Sequence, residues 1–103
     1  MDGNTALELR HLRCLVAIVD TGGFSDAALE LGVSQASVSR TLSSLERILG
    51  VRLLHRTSRV CTPTTAGVQV LVRARHLLAE ADNLLREATS GHTRLLVGHA
   101  WSA

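Results

Sequence analysis

The 103-residue chain predicts a mainly α fold: three helices carrying a two-stranded β wing, followed by one long helix. Three observations predict it. Residues Phe24 to Leu54 read as two helices meeting at the tight corner Leu31-Gly32-Val33-Ser34, where glycine supplies the positive φ that such a corner needs. After Gly50 the helical period gives way to two short extended runs. From about Thr65 to Thr89 a helical period returns without an internal proline. Together these describe a winged helix-turn-helix with a linker or dimerisation helix behind it.

The elements follow in order. Met1 to Ala6 is a frayed lead. A first helix over about Leu7 to Asp20 places Leu9, Leu12, Val16 and Val19 on one face, and Gly22-Gly23 stops it. Phe24 is the only Phe and anchors the core, with Ser25 as the N-cap of a second helix ending at Leu31. Ser34 caps the third helix, about Gln35 to Leu49, and Gly50 ends it. Small Ala28 permits close helix contact, while Val33 and Val38 plug the angle between the two helices. Taken alone, this pattern also suits an ordinary helical hairpin.

Val51 to Arg56 and Arg59 to Thr62 form the wing strands around Thr57-Ser58, and Pro63 ends the second because it cannot donate to a ladder. In the long helix Val70, Ala74, Leu77, Ala81, Leu84 and Ala88 recur by four and three, and Leu71, Leu78 and Leu85 by seven. About 25 residues at 1.5 Å each span roughly 37 Å, more than a three-helix domain can cover. The expected homodimer interface is therefore Val70, Leu71, Ala74, Leu77, Leu78, Ala81, Leu84 and Leu85, although the stripe also suits packing on its own domain. The expected division is 1–64 for the winged domain, 65–90 for the linker helix, and 91–103 for the opening of a further domain or a disordered tail. Leu95-Leu96-Val97 is the apolar run behind that last expectation.

Charge is unevenly placed. The net +2 divides into seven Arg against the single acid Glu46 within residues 35–75, and four Arg against eight acids elsewhere. A basic centre between acidic flanks suits a polyanion on one face. All eleven basic residues are Arg, whose planar fork matches phosphate and guanine. Cys14 and Cys61 are too few and too far apart for a zinc site, so no metal or cofactor is expected. Cys14 reads as a buried free thiol. Without a signal-peptide pattern or an 18-residue apolar run, a soluble cytoplasmic protein is expected, with no membrane partner.

With Val38 inward, 100° per residue puts Leu42, Leu45 and Leu49 within about 40° of it. Ala36, Arg40, Ser43 and Arg47 fall opposite, Ser39 lies on the flank, and Gln35 projects from the helix start beside Ser34. Gln pairs with the adenine edge, Arg with guanine, Ser with several bases, and a small Ala allows close approach or touches a thymine methyl. In the wing, Arg56 and Arg59 reach a phosphate or the narrow groove, with Thr57 and Ser58 as secondary donors. The expected double-stranded-DNA contacts are Ser34, Gln35, Ala36, Ser39, Arg40, Ser43, Arg56, Thr57 and Arg59.

The stretch ELRHLRCLVAIVDTGGFSDAALELGVSQASVSRTLSSLERILGVRLLHRTSRVCTPTTAG, within about Leu7 to Gly67, closely resembles the DNA-binding domain of LysR-type transcriptional regulators. It carries that family's Leu-Arg first helix, G-F-AA-L-SQ run, LE--LG segment and T-AG ending. The resemblance implies dimerisation through the linker helix, partly palindromic promoter sites, and groove contacts at Gln35, Ser39 and Arg40 with a wing contact at Arg56. It also implies a ligand-sensing domain, hence a small-molecule inducer, only in a longer form. Departures are Ala36 for the family's proline, Ser37-Val38 for its Ala-Leu pair, and Pro63 for its usual leucine.

Other functions are weaker readings. The five His are not spaced with Cys or carboxylates as a catalytic or metal site, so no enzyme is expected. A helical dimerisation module with only non-specific DNA affinity would carry the same leucine stripe. It has no use, however, for the polar face of the third helix. RNA binding would want more than one Phe, one Trp and no Tyr for base stacking.

Overall fold

The computed structural model describes residues 6–56 and 61–90. The described residues form four helices, α1 (Leu9–Thr21), α2 (Phe24–Leu31), α3 (Gln35–Leu49) and α4 (Thr65–Ser90), and a two-stranded antiparallel sheet of β1 (Leu54–Arg56) and β2 (Cys61–Pro63). Leu54 pairs with Pro63 and Arg56 with Cys61. Pro63 is the last residue of its strand, where a missing N–H costs the ladder nothing. Of the expected wing, Thr57, Ser58 and Arg59 lie outside the described residues, as do the lead before Ala6 and the run Leu95-Leu96-Val97.

The three glycine corners behave as glycine chemistry requires. Gly22, Gly32 and Gly50 have φ of 94°, 71° and 73° and close α1, α2 and α3 in turn. Ser34 caps α3 by accepting from the Ser37 N–H at 3.0 Å. The expected cap at Ser25 is displaced, because α2 already begins at Phe24 and Gly23 holds the N-cap position.

α1 lies at the centre, against α2, α3, α4 and β2. Its buried residues are His11, Leu12, Cys14, Leu15, Ala17 and Ile18, a much wider arc than the expected stripe. Of that stripe Leu12 is buried, Val16 and Val19 pack partly against the core, and Leu9 is exposed. His11, Cys14, Leu15 and Ile18 recur by three and four on one face, so the expected stripe is corrected: it lies on a neighbouring side of the helix. His11 belongs there because the Glu8 N–H at the helix start donates to its Nδ1 at 2.9 Å. Burial first, and then the Arg10 charge, lowers its pKa below 6.5. Burial likewise raises the Cys14 thiol to about 11, and that thiol donates to the Val38 carbonyl at 3.4 Å. Cys14 is thus the buried free thiol that its apolar surroundings suggest.

The core runs across residue 65 without a break. Gly67, Leu71 and Ala74 of α4 are buried against the domain, with Val70 and Leu78 packed partly against it. This corrects the expected interface at two positions: Leu71 and Ala74 are consumed by their own chain. Thr64 starts α4 by accepting from the Gly67 N–H at 3.0 Å while its hydroxyl donates to the Arg52 carbonyl at 2.7 Å. Gly67 itself abuts the Leu53 carbonyl so closely that a Cβ would collide with it. Further along, Arg75 grips Asp20 of α1 through two hydrogen bonds of 2.7 and 3.2 Å, and this lowers the Asp20 pKa.

Candidate nucleic-acid interface

α3 divides cleanly. Val38, Leu42 and Leu45 are between 0% and 1% exposed, so that side is committed to the core. Gln35, Ala36, Ser39, Arg40 and Arg47 are exposed, and Ser43 is half-buried. Two inward expectations are corrected. Leu49 is 38% exposed at the last turn, where the helix leaves the core, and Val33 is 45% exposed in the corner. Val38 alone of the two valines plugs the helix angle. The Val33 N–H instead closes the corner by donating to the Ala28 carbonyl at 3.0 Å.

Ser34 is exposed at the head of this face, its oxygen engaged by the cap and its hydroxyl proton left to donate. Gln35, Ala36, Ser39 and Arg40 then occupy the first turn and a half of α3. There a helix end approaching a groove meets base edges. Small side chains at Ala36 and Ser39 leave Gln35 and Arg40 as the long reaching groups. Across the α1–α3 seam, Arg10, Arg13, Val33, Ser37 and Thr41 line a cavity of about 220 Å³, whose floor is Cys14 and Val38.

The wing does not stand free. Glu46, on the flank of α3, accepts from the Leu53 N–H at 2.8 Å through Oε2 and from Arg56 Nη2 at 3.0 Å through Oε1. Arg56 also lies over the Phe24 ring, 5.6 Å from its centroid. The expected phosphate ligand of the wing is therefore an internally partnered side chain, with 35% of its surface still exposed. Sequence reasoning gave Glu46 no part in the site. The signal was present, because it is the only acid in the basic stretch of residues 35–75.

Among the described residues no group of three or more His, Cys, Asp or Glu gathers as a metal site would. His55 and His76 are both exposed. No described helix is long and apolar enough to cross a membrane.

Residues 9–68 match the family described as bacterial regulatory helix-turn-helix protein, lysR family. The small neutral protease regulatory protein of Streptomyces coelicolor is 46% identical over 96 residues, which cover 89% of this chain and 29% of that protein. Across three such Streptomyces relatives the chain spans only 25% to 29% of their length. Among solved structures, the BenM DNA-binding domain in complex with catB site 1 DNA superposes with a TM-score of 0.78 at 37% identity. It covers 81% of this chain and 93% of that one. The CbnR DNA-binding domain in a DNA complex gives a TM-score of 0.77 at 34% identity, covering 84% and 99%.

Proposed function

The chain belongs to the lysR family of bacterial regulatory helix-turn-helix proteins, and on that premise we propose that it binds double-stranded DNA sequence-specifically as the DNA-binding portion of a transcriptional regulator. The N-terminal half of α3 enters the major groove. Gln35, Ser39 and Arg40 address base edges, Ala36 lets the backbone come close, and Ser34 and Ser43 donate at the margins. Arg56 of the wing, with Thr57 and Arg59 beyond it, holds the backbone or the minor groove. α4 joins two copies as a homodimer, and the chemistry is recognition, with no catalytic step.

One observation carries this reading: the exposed polar face of α3 at Gln35, Ala36, Ser39 and Arg40, backed by three core residues with at most 1% exposure. The two similar domains in DNA complexes support it. A binding titration over a salt series tests it. Duplex affinity should fall linearly on logarithmic axes, by a slope of about 0.9 per phosphate neutralised. Failure to bind any duplex in dilute buffer would overturn it.

A further inference from the structure

We infer that Glu46 is a positioning residue for DNA binding, an acid that strengthens the grip on a polyanion by aiming Arg56 at a phosphate. The inference rests on the proposal that the chain binds duplex DNA. Glu46 accepts two hydrogen bonds, and Arg56, one of the donors, has a further contact. One carboxylate oxygen holds the Leu53 N–H at 2.8 Å and so fixes where the wing leaves α3. The other holds Arg56 Nη2 at 3.0 Å. The Phe24 ring, with its centroid 5.6 Å from the guanidinium carbon, is the second contact of Arg56.

A guanidinium has five N–H donors in a fixed plane. Glu46 takes one donor, at Nη2, and 35% of the side chain stays exposed for an outside acceptor. The carboxylate is itself only 11% exposed, turned away from the surface that its partner presents. A free arginine side chain would lose rotamer freedom on meeting phosphate, and this one has lost much of it already.

The inference predicts a sign opposite to simple electrostatics. Removing a negative charge beside a polyanion ordinarily tightens binding. Glu46→Gln retains an acceptor for Leu53 but turns an amide N–H₂ toward Arg56. It should weaken binding to a mixed-sequence duplex by about threefold to tenfold, and reduce the salt slope by up to about 0.9. In an Arg56→Gln background the same change should be neutral or tightening, because no guanidinium remains to be aimed.

Weakening of the same size in both backgrounds would mean that Glu46 only holds the wing backbone, and would overturn the inference. So would tighter binding by Glu46→Gln in the chain that retains Arg56. Helicity by circular dichroism accompanies each variant. If Glu46→Gln unfolds, Glu46→Asp keeps the charge but is too short to bridge both donors, and the same Arg56-dependent loss is expected. Absence of binding by the unaltered chain would instead sink the proposed function.

Discussion

Arg40 stands exposed on α3, whereas Arg56 is tied to Glu46 and Phe24. The two arginines therefore differ in how freely each can meet an outside partner. Replacing Arg40 with Ala should cost about 1–3 kcal/mol on a selected duplex and much less on random DNA, because a bidentate guanine contact is lost only where the guanine is present. Equal losses on both duplexes in a competition titration would reduce Arg40 to a phosphate ligand. At this scale the sequence was readable wherever one residue type has one use, as at Gly32, Ser34 and Gly50. It was opaque where a side chain acts through a partner distant in sequence. The hydrogen bond from Arg56 crosses ten residues, and the one from Leu53 to the same carboxylate crosses seven.

Between elements, the wing, α3 and α4 meet at a single seam. Thr64 ties the start of α4 to Arg52, and Gly67 lies against the Leu53 carbonyl, with Pro63 next to the same spot. Gly67→Ala should destabilise the domain by about 1–3 kcal/mol, since the obstruction is backbone and cannot swing aside. Thermal unfolding checks this, and an unchanged midpoint would mean that the seam opens easily. The Asp20–Arg75 pair fastens α4 to α1 nearby. Because Asp20 has a lowered pKa, its contribution is present above the ordinary carboxylate value and is lost as pH falls through the lowered one. Both side chains are half exposed, so solvent screening keeps that contribution small. Helix positions and ends were legible to within two residues, because caps and breakers act locally. The face of α1 was not, because His11 and Cys14 stand on its buried side while Leu9, Val16 and Val19 set an apolar row beside it.

For the whole molecule the question is what α4 does beyond its own domain. Leu71 at 7% exposure and Ala74 at 0% are spent internally, while Leu77, Leu84 and Leu85 remain 49%, 60% and 63% exposed. The leucine stripe showed in the sequence, but its division between core and surface depends on where the domain ends along the helix. Leu84→Glu should leave a folded monomer by sedimentation equilibrium, whereas Leu71→Glu should lower the melting temperature. A dimer that survives Leu84→Glu would refute the α4 interface. Selection of bound duplexes from a random pool tests most directly whether α3 reads base edges from within the major groove. The expected result is a shared, partly palindromic consensus, with two half-sites on one face of the duplex, that dissolves on Arg40→Ala. Recovered sequences with no common motif would contradict it.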